Sequence, residues 1–166
     1  MEAEVRDRGL YILLIHLPEG REIEVGALGN RPFRRGFYAY VGSALGGLQG
    51  RVARHLRRKK RRRWHIDYLL EHAHVKEVLT IAVEARGEPP LECTLARGLA
   101  EGLYTIEGFG SSDCRCKGHL FYCPDFELLR QNCLEAMKNI ATTTTDKGIL
   151  SFGSITATSF LKGEKG

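Results

Sequence analysis

The stretch that decides the fold is residues 37–56, FYAYVGSALGGLQGRVARHL, where a strand pattern is followed by a helix pattern. The alternation in 37–41 predicts a strand that carries Tyr38 and Tyr40 on one face. Glycines then interrupt the alternation. Apolar side chains spaced four apart from Leu48 onward predict an amphipathic helix. A strand, a glycine-rich turn and a helix therefore follow one another directly.

Further strands and helices are predicted on both sides of this stretch. Strands are expected at 9–17, 21–28 and 75–83, with a strand or hairpin arm at 116–123. Helices are expected at 64–74, 91–103 and 126–140. This arrangement predicts an α/β (α+β) fold, a small, mostly antiparallel mixed sheet that is flanked by helices.

Length and composition predict one domain outside the membrane. The chain has 166 residues, of which 43% are hydrophobic and 27% charged, enough to bury one core. No apolar run approaches the ~18 residues that a membrane helix needs. The opening MEAEVRDRG lacks the apolar segment of a secretory signal, so we expect a cytoplasmic protein. The expected organisation is a main domain at 1–125, a packed C-terminal helix at 126–141, and a low-complexity, mobile tail at 142–166.

Positive charge is concentrated in residues 51–63, RVARHLRRKKRRR, which contain nine Lys and Arg and no acid. Without these nine, the chain has 16 basic and 20 acidic side chains, a charge of −4. Concentrated cations favour a polyanion, because each neutralised phosphate releases counterions, although a solvated helix face has the same composition. We therefore expect DNA as the partner, with RNA not excluded. The candidate nucleic-acid-binding residues are Arg54, Arg57, Arg58, Lys59, Lys60, Arg61, Arg62 and Arg63.

Two predicted helices carry polar side chains within or beside their apolar stripes. On a helical wheel with Leu91 at zero, Glu92 falls at about 100°, inside the apolar arc. A carboxylate there needs an arginine, a metal or the helix dipole as partner, unless it reaches solvent at the rim. Arg51 and His55 are four residues apart and flank the stripe of the earlier helix, so they can meet and face a cleft. An ordinary surface pair would have the same spacing.

These residues together resemble the GIY-YIG nuclease superfamily. The resemblance rests on GLY at 9–11, YVG at 40–42, Arg51 with His55, and Glu92, in that order. The strings WHIDYLL and GFGSSDC further along are similar to a compact, poorly characterised archaeal and bacterial branch of the superfamily.

The resemblance, which covers about residues 8–105, implies an endonuclease that hydrolyses DNA phosphodiester bonds with one divalent ion. Glu92 would hold Mg²⁺ or Mn²⁺, with waters and a phosphate oxygen completing the coordination. Tyr11 or Tyr40 would accept the proton of the attacking water, and Arg51 would stabilise charge in the transition state. His55 matches a position near the attacking side.

The sequence departs from the superfamily pattern at two points. Tyr11 and Tyr40 lie further apart than is usual, so 21–28 is interpreted as an inserted hairpin strand. Ser43 stands where several members carry a lysine. The resemblance as a whole leads us to expect an endonuclease that acts on branched or damaged DNA, in repair or recombination. The alternative is a nucleic-acid-binding module on the same fold with little or no hydrolytic activity.

The five cysteines form an odd number without a secretion signal, which argues against a disulfide framework. Four clustered residues could supply a Cys₃His zinc site: Cys114, Cys116, His119 and Cys123. The C-x-C pair is not the usual zinc-knuckle spacing, and buried free thiols are the favoured alternative. With zinc bound, the chain could instead be a zinc-stabilised interaction domain whose basic run serves assembly.

Overall fold

The computed structural model describes residues 8–44, 46–83, 90–112, 114–143 and 149–156. Its strands are β1 (Gly9–Leu17), β2 (Arg21–Glu24), β3 (Asn30–Phe33), β4 (Gly36–Ala44), β5 (His74–Val83), β6 (Tyr104–Thr105), β7 (Leu120–Cys123) and β8 (Ile149–Thr156). Its helices are α1 (Leu48–Leu56), α2 (His65–Leu70), α3 (Leu91–Ala100) and α4 (Phe126–Thr143), and residues Gly26–Leu28 form a 3-10 turn.

The main sheet has the strand order β6-β7-β4-β1-β5-β8, and β2 pairs with β3 in a separate hairpin. Every strand pair of the described ranges is antiparallel. The expected small antiparallel sheet with flanking helices is therefore confirmed, and the expected extra hairpin is present, although its first strand is shorter than predicted.

Strand β1 is central and contributes side chains to two cores. Tyr11, Leu13 and Ile15 pack on the face that carries α1, α2 and the β2–β3 hairpin. The alternate residues, Ile12 and Leu14 among them, pack on the face that carries α3 and α4. Because a strand alternates its side chains between faces, burial on both sides requires a continuous apolar run, as GLYILLIHL provides.

The basic run is helical only in its first part. Helix α1 ends at Leu56, and residues 57–64 connect it to α2 without regular secondary structure. Consecutive cations repel one another, and no apolar stripe continues through them to fix a helix face.

Residues 149–156, which lie in the segment predicted to be a mobile tail, form β8 at the edge of the sheet. β8 pairs antiparallel with β5 over most of its length. An edge strand is held by main-chain hydrogen bonds, which do not require the apolar pattern that was sought in the sequence. Residues 144–148 and 157–166 of the tail lie outside the described residues.

Within the described ranges, no helix combines the length and the hydrophobicity that crossing a lipid bilayer requires.

The register of β1 with β4 places Tyr11 directly opposite Gly42. A Cβ at position 42 would overlap both the ring and the hydroxyl group of Tyr11. The glycine therefore creates the space through which the buried tyrosine passes across β4.

We expect Gly42→Ala to lower the free energy of unfolding by about 1–3 kcal/mol, because the added methyl group overpacks the Tyr11 ring. Urea denaturation of both proteins measures this difference. The matched control is Gly50→Ala, which lies in α1 with open space around its Cβ position. This control should be neutral or stabilising by up to about 1 kcal/mol. Equal losses at positions 42 and 50 would contradict the steric explanation.

Candidate active site at the end of the central strands

The candidate catalytic residues converge at the end of the sheet where β1 begins and β4 ends. Gly9, the first residue of β1, pairs with Ala44, the last residue of β4. Helix α1 follows β4 after a short turn and brings Arg51 and His55 back over this end. The first turn of α3 brings Glu92 to it from the other face.

Tyr11 and His55 share a buried hydrogen bond of 2.8 Å between the tyrosine hydroxyl and Nε2. The other ring nitrogen, Nδ1, is buried with no hydrogen-bond partner among the described residues. A buried N–H without a partner is rare and costly, so we assign the hydrogen to Nε2. In this tautomer His55 Nε2–H donates to the Tyr11 oxygen.

Both tyrosines of the predicted site are buried, and their rings lie 6.5 Å apart between centroids. Burial raises the pKa of Tyr11 above its usual value, while hydrogen bonding and the positive charge of Arg51 act in the opposite direction. Burial also raises the pKa of Tyr40, and the charges of Tyr11 and Glu92 raise it further. The groups around Tyr11 therefore favour the ionised form of the tyrosine more than the groups around Tyr40 do.

Arg51 and Glu92 are connected through Ser43. Arg51 Nη1 donates to the Ser43 carbonyl oxygen at 3.3 Å, and the Ser43 hydroxyl donates to Glu92 Oε2 at 3.0 Å. The Arg51 guanidinium also stacks 4.6 Å above the centre of the Trp64 ring, which limits its movement. Ser43 thus contacts both charged groups.

The second oxygen of Glu92 pairs with His119. His119 Nδ1 lies 3.2 Å from Glu92 Oε1, and the imidazole is almost completely buried. Burial lowers the pKa of His119, but the hydrogen bond and the charge of Glu92 outweigh it, so the net shift is upward. Among the described residues, the hydrogen-bond partners of the Glu92 carboxylate are therefore a serine and a histidine.

Glu92 fits the requirements of a hard divalent ion. Its side chain is 27% exposed at the rim of α3, so solvent and a ligand can reach it. Each carboxylate oxygen accepts one of the hydrogen bonds described above and keeps a further lone pair. Mg²⁺ retains several waters and is commonly held by one or two carboxylates, so a single protein ligand is sufficient.

The cysteine cluster differs from the predicted set by one residue. The side chains that converge are Cys93, Cys114, Cys116 and His119, whose ligand atoms all lie within 4.8 Å of one another. Cys123 is not a member, because alternation along β7 turns it to the α4 face, where it packs in the core that contains Cys133. Cys93 was missed because it lies on α3, far from the others in sequence.

Two of the predicted DNA-binding cations are held by the protein itself. Arg54 makes two hydrogen bonds to the fully buried Asp67, at 3.0 and 2.9 Å, and stacks on Trp64. Asp67 also accepts the backbone N–H groups of Arg63 and Trp64. Lys60 Nζ donates to the carbonyl oxygens of residues 55 and 57 at the end of α1.

The other six candidate DNA-binding cations are exposed. Arg62 pairs with Glu71 at 3.2 Å on the surface, and Arg58 contacts His74 at 3.2 Å. Arg57, Lys59 and Arg61 also carry exposed side chains. Exposed surface pairs contribute little to stability, so these cations remain available to an external anion.

The structure thus brings together all five predicted catalytic residues: Tyr11, Tyr40, Arg51, His55 and Glu92. Sequence reasoning missed the pairing of His119 with Glu92, because it joins a loop to a helix 27 residues away. The one signal in the sequence was that Cys93, which joins His119 in the thiol cluster, directly follows Glu92.

The fold and the site define a small antiparallel α/β domain with a polar site at the end of its central strands. The chain belongs to the family described as domain of unknown function DUF123, whose model matches residues 10–142. The match begins in β1 and ends within α4, so it includes every candidate site residue. Neither the curated proteins nor the solved structures contain a significant match.

The His55 environment predicts a pH dependence of stability. Burial lowers the pKa of His55 to about 3, whereas an unfolded chain titrates near 6.5. Between these values only the unfolded state binds this proton, so stability falls as the pH falls from about 6.5 toward 3. The slope from this group reaches about 1.4 kcal/mol per pH unit.

We expect His55→Gln to remove this slope between pH 6 and pH 4, as measured by urea denaturation at several pH values. The exposed His74 provides the control, and His74→Gln should retain the slope of the unmodified protein. If His55→Gln and the unmodified protein show parallel curves, His55 is not buried in its neutral form.

Proposed function

We propose that the protein is a metal-dependent endonuclease that hydrolyses DNA phosphodiester bonds at the strand-end site. The observation that carries the proposal is the convergence of Tyr11, Arg51 and Glu92, from β1, α1 and α3, around Ser43. A proton acceptor, a guanidinium and an accessible carboxylate are the groups that phosphodiester hydrolysis needs. The resemblance to the GIY-YIG superfamily supports the same activity.

Tyr11 is the proposed proton acceptor for the attacking water. His55 Nε2–H donates to its oxygen, and Arg51 adds a second favourable interaction with the ionised hydroxyl. Both interactions are stronger with a tyrosinate than with a neutral tyrosine, so they offset part of the effect of burial. His55 stays neutral at physiological pH and therefore orients Tyr11 without taking up the proton.

Arg51 is the proposed electrostatic stabiliser of the transition state. A guanidinium has five N–H donors, so its bond to Ser43 leaves others for a phosphate oxygen. Stacking on Trp64 holds the group in place before the substrate binds. Donors that are already oriented need no reorganisation when charge develops, which is the main advantage of such a site.

Glu92 is the proposed ligand of one Mg²⁺ or Mn²⁺ ion. When bound, the ion supplies Lewis-acid stabilisation of the leaving oxygen. Ser43 and His119 each hold one carboxylate oxygen and so restrict the rotation of the side chain.

The exposed cations Arg57, Lys59 and Arg61, which follow the helix that carries Arg51, are proposed to bind the phosphate backbone of the DNA. Contacts of this kind position DNA without reading its sequence, which suits an enzyme that recognises branched or damaged structures.

We expect the protein to cleave branched, nicked or single-stranded DNA in the presence of Mg²⁺ or Mn²⁺, and Glu92→Gln to abolish this cleavage. The loss should be about a hundredfold or more, comparable with the removal of one electrostatic stabiliser of a transition state. Gel electrophoresis of labelled substrates under single-turnover conditions measures the rate.

Glu101→Gln is the control, because Glu101 is an exposed carboxylate at the end of the same helix. This variant should cleave at the rate of the unmodified protein. Cleavage that survives in Glu92→Gln would overturn the metal role of Glu92. Binding without cleavage in every metal would favour a nucleic-acid-binding module on the same fold.

We expect the double substitution Arg57→Gln/Arg61→Gln to reduce the salt dependence of DNA binding. Each lost phosphate contact lowers the slope of log K against log salt by about 0.9, so the slope should fall by about 2. Fluorescence anisotropy at several salt concentrations measures it.

The matched control is Arg34→Gln/Arg35→Gln, since these exposed arginines precede β4 at the end of the strand remote from the site. The control should keep the slope of the unmodified protein. Equal slopes for both double variants and the unmodified protein would refute a role for the run in binding.

A further inference from the structure

Three thiols and one imidazole meet beside Glu92, and the thiols have no role in the proposed hydrolysis. Cys93 lies in the first turn of α3, while Cys114, Cys116 and His119 come from the loop that precedes β7. Cys93 and His119 are buried, and the other two are partly exposed. All five cysteines of the chain are free thiols, so no disulfide explains the cluster.

The spacing of the ligand atoms matches a tetrahedral metal centre. With Zn–S near 2.3 Å and Zn–N near 2.0 Å, tetrahedral ligand atoms lie about 3.5–3.8 Å apart. The four ligand atoms here all lie within 4.8 Å of one another, and Cys114 Sγ is 3.4 Å from His119 Nε2. A small contraction of the cluster would therefore complete the coordination.

The histidine already has the orientation of a metal ligand. Its Nδ1–H donates to Glu92 Oε1, which leaves the Nε2 lone pair directed toward the thiols. Metal-bound histidines commonly donate their other N–H to a carboxylate, which fixes the tautomer and raises the basicity of the ligand. Glu92 occupies this position.

We propose that Cys93, Cys114, Cys116 and His119 bind a structural Zn²⁺ ion, and that His119 thereby holds Glu92 in position. Thiolate and imidazole ligands select zinc over Mg²⁺ or Mn²⁺, so this centre is distinct from the proposed ion at Glu92. The significance of Glu92 for catalysis rests on the proposed function, whereas zinc binding does not.

The location of the centre gives it a structural purpose. The described residues between β6 and β7 contain no helix or strand, and a loop of this length usually needs a stabilising interaction. Zinc would attach this loop to α3 through Cys93. The same cross-link would fix the first turn of α3, which carries Glu92.

The first test is the zinc content of the full chain, purified without added metal and then dialysed against zinc and a weak chelator. Elemental analysis should find one zinc per chain. Cys116→Ser should lose it, while Cys123→Ser should retain it, because Cys123 lies in the α4 core. Less than about one tenth of an equivalent in the unmodified protein, or equal zinc in both variants, would overturn the proposal.

The second test replaces zinc with Co²⁺ in the unmodified protein and therefore does not depend on whether a variant folds. Tetrahedral thiolate coordination should give intense visible absorption and sulfur-to-cobalt charge transfer in the near ultraviolet. Spectra of an octahedral, oxygen-ligated ion would contradict the ligand set.

The third test examines the contact with Glu92. Glu92→Gln should weaken zinc affinity about 10–100-fold in a chelator competition, the usual effect of losing an outer partner of a ligand. Glu101→Gln should leave it unchanged. None of these measurements uses DNA, so zinc binding without cleavage would support this proposal and overturn the proposed function. Cleavage of DNA by a protein that binds no zinc would support the proposed function and overturn the zinc site.

Discussion

The pairing of β1 with β4 is the constraint on which the rest of the molecule depends. Its register places Tyr11 opposite Gly42, and only a glycine leaves room for the ring at that position. A shift of one residue would move Tyr11 to the α3 face and separate it from His55. The core, the tyrosine–histidine hydrogen bond and the position of Ser43 therefore depend on the same register.

Local patterns in the sequence predicted most of this framework. The apolar run of β1, the alternation in β4 and the stripes of α1 and α3 depend on neighbouring residues, so each can be recognised in isolation. The buried partner of Arg54 could not be recognised in this way. An arginine in a basic run has the same local pattern whether it faces DNA or a buried carboxylate such as Asp67, and only the packing of α1 against α2 decides between them.

Strand β8 and the position of Cys93 in the thiol cluster were not predicted from the sequence, for related reasons. β8 is added to the sheet through its main chain, which has the same hydrogen-bonding groups in every sequence. Cys93 joins the thiol cluster only because α3 and the loop before β7 pack at the same end of the sheet. Spacing rules for zinc ligands describe ligands that lie close together in sequence, so they cannot find a ligand supplied by a separate helix.

Glu92 lies between the thiol cluster on one side and Ser43 with Arg51 on the other. One oxygen faces the imidazole of a soft, sulfur-rich cluster, and the other accepts from Ser43 on the side of Arg51. A carboxylate fixed at one oxygen keeps its second oxygen in a defined direction, so a metal there would meet a ligand that is already oriented. Hard oxygen and soft sulfur ligands discriminate between Mg²⁺ and Zn²⁺ without a barrier between the sites. An order of assembly follows from the two proposals: the zinc cluster would form as the chain folds, and the hard ion would bind afterwards to the carboxylate that folding has positioned.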